Sequence, residues 1–278
     1  MRDLVLQGEP VRFVFLFIVF FIAGEAIAKP NFIKVNGYDV EYEIAGNGSK
    51  TVFLEAGGTA GLSDWEPIFE KLAKDTRVIR YSRIGNGGSQ KVRKNYSSEE
   101  YAEEARLLLE VLNIKKPVVY VAHSYGAYIA RRFSATYPEW VSGLMLIEPA
   151  SEHDVDIMRK IDLEKAEKEI AQIKLDDQAN GMSNQYLDFW SKRPLPDYPE
   201  IPNIPVTVIA SVKKYQNPPV LFFNDKARTM WGQLHSDWVL SFPKGKIVLT
   251  DKSYHYPQND EPEMVINEIK ALLDRIKH

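Results

Sequence analysis

Hydrophobic residues along the chain fall into two patterns that are typical of β-strands. From Phe32 to Ile44 they alternate with charged residues on either side of Asn36-Gly37, which predicts a hairpin with a tight turn. Further along, short apolar runs rich in β-branched residues are typical of strands buried on both faces. These runs are Thr51–Leu54, Arg77–Tyr81, Pro117–Ala122, Gly143–Ile147, Ile204–Ala210 and Lys246–Leu249.

Segments with the spacing of amphipathic helices lie between these runs. Ser97, Ser98 and Glu100 form a typical helix start, and Pro138 predicts the end of the helix that follows Ser124. The predicted helices are Trp65–Ala73, Ser98–Leu112, Ala127–Tyr137 and Glu261–Ile276. Strands that alternate with helices predict an α/β fold, with a mostly parallel sheet covered on both faces.

The alternation breaks between residues 151 and 200. A charged, helix-favouring stretch over residues 161–175 is followed by a proline-rich stretch over residues 194–199. Fifty residues are too many for a simple crossover between two strands. We therefore expect a small helical lid, inserted over residues 151–200 of a domain that covers residues 29–278, with a role in gating or substrate choice. The alternative is a passive helical excursion.

Composition and charge limit the classes of function. A chain of 278 residues with 45% hydrophobic residues is long enough to bury one large core. Its net charge of -3 and scattered Lys and Arg residues provide no basic surface for phosphates, so nucleic acid is not an expected partner. The absence of cysteine excludes disulfides, thiolate catalysis and cysteine-ligated metals.

The N-terminal segment has the layout of a signal peptide. The apolar run Phe13–Ala23 is too short to span a bilayer comfortably, and small residues at Ala26 and Ala28 fit a cleavage site before Lys29. We therefore predict that residues 1–28 direct export, to the periplasm or the medium. The alternative is an uncleaved N-terminal anchor, which would be the chain's contact with a membrane.

The strongest chemical signal surrounds Ser124, where an apolar strand leads through a sharp turn into a helix. Such a turn strains the backbone of its serine, so small residues are needed two positions before and after it, and Ala122 and Gly126 supply them. Ser124 would lie at a helix N-terminus, where N–H groups and the helix dipole stabilise developing negative charge. This context predicts a nucleophile elbow rather than an ordinary strand-to-helix turn.

On these residues, the chain from Phe32 to its end resembles the alpha/beta-hydrolase family. Val52–Gly58 is similar to the family's oxyanion loop, although Ala56 stands where many members have a histidine. Tyr81–Ser89 is similar to the Gly-rich turn after the next strand, with Ser82 in place of the commoner aspartate. The resemblance implies an eight-stranded sheet with a lid after the sixth core strand.

The resemblance also implies the parts of a catalytic site. An oxyanion hole would be formed by the backbone N–H groups of Gly58 and Tyr125. A serine at the elbow argues against the dehalogenases and epoxide hydrolases of the family, which use an aspartate nucleophile there.

The catalytic base is expected late in the chain, because family members run in the order Ser, acid, His. His255 follows the last predicted strand and precedes the final helix, which is the family's position for this histidine. His153, near the end of a predicted strand, is the rival candidate. Of the others, His123 is the variable residue of the elbow, His235 lies in a helical segment and His278 is terminal.

The catalytic acid is open among several carboxylates. Much of the family places it after the seventh core strand, but no carboxylate directly follows the run Ile204–Ala210. Glu148 ends the preceding strand, where some members carry the acid that orients the histidine and stabilises its protonated form. Asp225 is the second candidate, and Asp154 and Asp156 are further ones.

Together these residues predict a serine hydrolase that cleaves a carboxylic ester in a small-molecule acyl substrate through an acyl-enzyme. The same triad would serve an amidase, a lactonase or a perhydrolase, and a non-catalytic ligand-binding protein is the alternative from another class. No cofactor or metal is expected, since ligand spacings are missing and Gly85–Gly88 lacks the lysine of a P-loop. Five aromatic residues line an acyl pocket or belong to the core: Tyr186, Phe189, Trp190, Trp231 and Trp238.

Overall fold

One eight-stranded sheet forms the centre of the part of the protein that the structure describes. The computed structural model describes residues 30–92, 94, 96–179 and 199–276. The strands are β1 (Asn31–Val35), β2 (Tyr38–Ala45), β3 (Thr51–Glu55), β4 (Arg77–Tyr81), β5 (Val118–His123), β6 (Val141–Ile147), β7 (Val206–Ser211) and β8 (Gly245–Thr250). Their order in the sheet is β1-β2-β4-β3-β5-β6-β7-β8. β2 is antiparallel to both neighbours and all other pairs from β4 to β8 are parallel, which confirms the predicted mostly parallel α/β sheet.

Helices cover both faces of the sheet. They are α1 (Glu66–Ala73), α2 (Ser98–Val111), α3 (Gly126–Thr136), α4 (Asp154–Ile161), α5 (Leu163–Ala179), α6 (Asp225–Leu240), α7 (Pro257–Asp260) and α8 (Pro262–Arg275). Side chains alternate between the two faces along a strand, so Tyr120 packs in the core beneath α2, α3 and α6, whereas Val119 and Val121 pack beneath α1 and α8. All six residues of β5 are buried because each face is covered.

Local sequence signals account for several element boundaries. Asn36 and Gly37 both have positive φ, as a two-residue hairpin turn requires. The side chain of Ser97 accepts from the backbone N–H of Glu100, and the Glu100 side chain accepts from the N–H of Ser97, which forms the predicted capping box of α2. The helix after Ser124 ends before Pro138, as expected.

The insertion between β6 and β7 begins with two helices, α4 and α5, so the charged stretch over residues 161–175 is helical except at Asp162, which lies between them. Residues 180–198 lie outside the described residues, as do residues 1–28, and the gating and export roles stay predictions. Among the described residues, no helix is both long and apolar enough to cross a membrane.

Candidate active site

Ser124 occupies a sharp turn between β5 and α3. Its φ of 51° places it in the left-handed region, which non-glycine residues rarely adopt. Its N–H donates to the carbonyl of Ile147, and its own carbonyl accepts from the N–H groups of Ala127 and Ala150, each at 3.0 Å. A Cβ at Gly126 would lie 2.7 Å from the carbonyl oxygen of Ala56, so the turn requires glycine there. The geometry is that of the predicted elbow.

His255 lies beside Ser124, in the loop that joins β8 to α7. Its Nε2 is 2.9 Å from Oγ of Ser124, which is hydrogen-bonding distance. The two residues are 131 positions apart in sequence, and the parallel arrangement of β5 and β8 brings the loops that follow them to one edge of the sheet. A proton can therefore pass directly between these two atoms.

Glu148 follows β6 and faces the other nitrogen of the imidazole. Its Oε2 is 3.6 Å from Nδ1 of His255, an ion-pair distance slightly longer than a hydrogen bond. Like Ser124, it has positive φ, at 44°. The carboxylate is buried and also accepts from the backbone N–H of Ser211. The structure thus brings Ser124, His255 and Glu148 together, with one imidazole nitrogen of His255 near each of the other two side chains.

A buried arginine that sequence reasoning missed holds the carboxylate of Glu148. Nη2 of Arg228, on α6, is 3.2 Å from each carboxylate oxygen and also donates to the carbonyl of Ser211. The guanidinium lies 4.0 Å from the ring centroid of Trp231. This pairing keeps a buried charge compensated, because an unpaired carboxylate would be costly at this depth. Nothing in the sequence around Arg228 indicates this contact, because Glu148 lies 80 residues earlier in the chain.

The other candidate acids lie in different surroundings. Asp225 is exposed at the start of α6 and pairs with Lys214 at 3.3 Å. Asp156 pairs with Arg159 on the outer side of α4. Asp154 lines the same cavity as Ser124, but burial raises the pKa of its carboxyl to about 8, so it is mostly protonated at neutral pH. None of these three carboxylates pairs with His255 among the described residues.

The other histidines that were considered as the base have different contacts. His153 is the N-cap residue of α4, 3.6 Å from Asp156, and faces a surface groove together with Thr229. His235 is buried with its ring centroid 4.4 Å from that of Trp231, and burial lowers its pKa well below the usual value. His278 lies outside the described residues. Of the histidines in the described ranges, His255 is the one that meets Oγ of Ser124.

The loop after β3 is fixed by Arg83 from the Gly-rich turn. The buried guanidinium donates to Glu55 and to the backbone carbonyls of Ala56, Gly57 and Gly58. In a trans peptide the C=O and the following N–H point in opposite directions. Since the carbonyl of Gly57 points toward Arg83, the N–H of Gly58 points away from it. Arg83 therefore fixes the orientation of the predicted oxyanion donor.

A mostly apolar cavity of about 290 Å³ opens beside Ser124. Trp231 is part of its wall, whereas Trp238 packs against Phe242 in the core. Its apolar lining is Pro149, Ala150, Met158, Ile173, Val220, Phe222, Phe223 and Trp231. Tyr125, the residue after the nucleophile, also lines it. Three of the aromatic candidates, Tyr186, Phe189 and Trp190, lie outside the described residues.

Comparison with known proteins gives a family match and several relatives. The sequence profile of a family described as alpha/beta hydrolase fold matches residues 50–192, just over half of the chain. The uncharacterised protein Mb2734 of Mycobacterium bovis is 33% identical over 138 residues, which are 49% of this chain and 40% of that protein. The cis-3-alkyl-4-alkyloxetan-2-one decarboxylase of Shewanella oneidensis is 27% identical over 132 residues, 45% and 40% of the two chains.

Each of these alignments spans about two fifths of the length of the curated relative. Among solved structures, a thermophilic esterase from Thermogutta terrifontis superposes with a TM-score of 0.61 at 18% identity, over 90% of this chain and 100% of that chain. At that level of identity the likeness establishes the fold.

Proposed function

This chain belongs to the alpha/beta hydrolase fold family, and on that premise we propose that it is a serine hydrolase that cleaves a carboxylic ester through an acyl-enzyme. The observation that carries the proposal is the 2.9 Å separation between Oγ of Ser124 and Nε2 of His255, on an elbow with a strained serine. A serine hydroxyl becomes a nucleophile when an adjacent base removes its proton.

In the proposed acylation step, Oγ of Ser124 attacks the ester carbonyl while its proton moves to Nε2 of His255. Glu148 stabilises the resulting imidazolium through Nδ1. The 3.6 Å separation of Glu148 and His255 suits a free enzyme, in which such contacts are often longer than in the reacting complex. The carbonyl oxygen takes up negative charge, and the N–H groups of Gly58 and Tyr125 would bind it.

Collapse of the tetrahedral intermediate breaks the ester C–O bond. The alcohol leaves with the proton from His255, and the acyl group stays on Ser124. A water molecule then gives a proton to His255 and attacks the acyl-enzyme, which releases the carboxylic acid and restores the serine. Each oxyanion donor is expected to contribute about 3 kcal/mol to the barrier reduction.

The cavity beside Ser124 supports an ester with a small or medium acyl group. Its volume of about 290 Å³ is at the lower limit for ligand pockets, and its lining is mostly apolar. Each buried methylene adds about 0.8 kcal/mol, so affinity should rise with acyl length until the cavity is full. An amide or lactone would use the same three residues.

The proposal is tested by intact-mass labelling with a fluorophosphonate probe. We expect one adduct on the wild type and none on Ser124→Ala. His255→Ala should slow labelling at least about 100-fold, since general-base catalysis contributes that much, whereas His153→Ala should stay near the wild-type rate. p-Nitrophenyl esters of graded length would then define the acyl preference. A folded wild type that forms no adduct would favour a ligand-binding protein on the same fold.

A further inference from the structure

His123, the residue before the nucleophile, makes two hydrogen bonds in the buried floor of the site. Its Nδ1 is 2.9 Å from Oδ2 of Asp64, and its Nε2 is 2.7 Å from the backbone carbonyl oxygen of His255. The ring is 1% exposed and packs 4.9 Å from the ring of His255, between centroids. One side chain thus reaches the loop that carries the base.

Asp64 extends this contact to the oxyanion loop. It lies just before α1, where its Oδ2 also accepts from the backbone N–H of Gly57 at 2.7 Å. Its Oδ1 accepts from Nε2 of Gln258 on α7 at 3.0 Å. The elbow, the oxyanion loop and the loop of His255 are therefore joined through the side chains of His123 and Asp64.

The partners of His123 determine which of its nitrogens carry protons. A backbone carbonyl can only accept, so Nε2 must donate to His255. Oδ2 of Asp64 accepts from Gly57, and as a carboxylate it accepts from Nδ1 as well. Both hydrogen bonds exist together when His123 is an imidazolium paired with an ionised Asp64.

We propose that protonated His123 is a positioning residue, which holds the backbone of His255 so that its imidazole stays within reach of Ser124. The inference rests on the proposed serine-hydrolase function, since it assigns a purpose to the placement of His255. His123 touches no substrate in this scheme. It acts through the carbonyl of His255, while Asp64 keeps its second nitrogen protonated.

The charges around His123 agree with this protonation state. The titratable or charged groups that face it are Asp64, Glu148, His255 and Tyr256. Burial lowers the pKa of His123, but the charge and hydrogen bond of Asp64 outweigh burial and leave it above the usual 6.5. Burial raises the pKa of Asp64, but the charge of His123 together with the hydrogen bonds from His123, Gly57 and Gln258 leaves it below its usual value, which favours the ionised pair.

Two substitutions separate the hydrogen bonds. The side-chain amide of His123→Gln can place a donor where Nε2 stands, toward the carbonyl of His255, whereas that of His123→Asn can place one where Nδ1 stands, toward Asp64. If the bond to His255 positions the base, the maximal rate of labelling by the fluorophosphonate should fall at least about tenfold in His123→Asn, since small misplacements are costly in rate. His123→Gln should stay within about threefold, and the half-saturating probe concentration should change little in both.

The pH dependence of the labelling rate is a second test of the hydrogen bond between His123 and His255. Wild-type labelling should decline at alkaline pH as His123 loses a proton and one of its hydrogen bonds, and His123→Gln should lack that decline because an amide does not titrate. Equal losses of rate in the two variants, or identical alkaline limbs in wild type and His123→Gln, would overturn the inference. If His123→Asn does not fold, the comparison of pH profiles decides.

A readout independent of activity separates this inference from the proposed function. In ¹H–¹⁵N spectra of the histidine side chains, His123 should have protons on both ring nitrogens at pH 7.5. A neutral ring at that pH would contradict the positioning role of His123 even if the wild type labels normally. If His123 is protonated but the protein never reacts with the probe, the proposed hydrolase function is wrong, and the hydrogen bond from His123 to His255 then has no catalytic purpose.

Discussion

At the scale of single residues, position and burial distinguish Glu148 from the other carboxylates that were proposed as the partner of His255. Glu148 is buried, lies 3.6 Å from Nδ1 and is clamped by Arg228, whereas Asp225 is exposed and pairs with Lys214. A rigid, buried carboxylate orients an imidazole with less loss of side-chain entropy than a mobile surface one. We therefore assign the proposed acid role to Glu148.

The substitution Glu148→Gln tests this assignment. Removal of the charge should lower kcat by roughly 10²- to 10⁴-fold, because the imidazolium that forms during acylation loses its counter-ion. KM should change much less, and Asp225→Asn is the control that should behave as the wild type. Near-normal turnover in Glu148→Gln, with loss in Asp225→Asn, would transfer the role. Thermal unfolding of each variant shows whether Arg228, left without its partner, has destabilised the protein.

The sequence indicated residues whose roles are marked locally. Ser124 stands in a strand-turn-helix context with small neighbours, and His255 follows the last strand, so both could be proposed as site residues from the sequence, and the structure places them 2.9 Å apart. Arg228 lies 80 residues from the carboxylate that it holds, and Arg83 is 28 residues from Glu55. Nothing in the local pattern relates such pairs, because the contact exists only after the sheet has formed.

At the scale of elements, hydrophobic periodicity located the eight strands and four of the helices, whereas α4 and the bounds of α6 were not predicted. Buried strands such as β4 were predicted to the residue, and α2 differs from its predicted range by one position. The start of β7 was predicted two residues early, at Ile204, since this apolar residue also packs against the core although it lies outside the strand. Periodicity reports burial, whereas strand bounds depend on backbone pairing.

The loop after β3 leaves no room for a larger residue at Gly57. A Cβ there would lie 2.9 Å from Nδ1 of His123 and 3.3 Å from Cβ of Ser124. Gly57→Ala must therefore displace the loop or the histidine, and kcat should fall by about 10-fold or more.

Gly232→Ala on α6 is the matched control for this loop substitution. Within the described residues, its added Cβ meets only Cγ1 of Val212, at 3.3 Å, so activity should be retained. Steady-state kinetics on a p-nitrophenyl ester would measure both variants. Full activity of Gly57→Ala would show that the loop can shift without loss of rate, and it would argue against the proposal that this loop provides an oxyanion donor.

At the scale of the whole molecule, the sheet brings distant segments to one edge and buries ionisable groups in doing so. The loops after β3, β5, β6 and β8 all contribute to the site, as expected for the carboxyl ends of parallel strands. Several carboxyl groups become buried, among them Glu55, Glu104 and Asp154. The topology that assembles the site therefore also makes the stability of the fold depend on pH.

Glu104, on α2, is one buried residue whose carboxyl group makes the stability of the fold depend on pH. Burial raises its pKa from 4.5 to about 8, even though Oε1 accepts from the N–H of Ile84 at 2.9 Å. Between these two pKa values the folded protein keeps a proton that the unfolded chain releases, so a rise in pH favours unfolding. The contribution of Glu104 to stability is complete below pH 4.5 and is lost as the pH rises toward 8.

Glu104→Gln should remove this pH-dependent contribution to stability. A neutral side-chain amide can still accept from the N–H of Ile84, and it carries no charge to bury. Between pH 5 and pH 8, the free energy of unfolding in urea should fall more in the wild type than in the variant, by on the order of 3 kcal/mol. Glu110→Gln, on the exposed face of the same helix, is the control and should follow the wild type. Parallel curves for wild type and Glu104→Gln would mean that the folded protein hydrates this carboxylate, and the burial argument would then fail for α2.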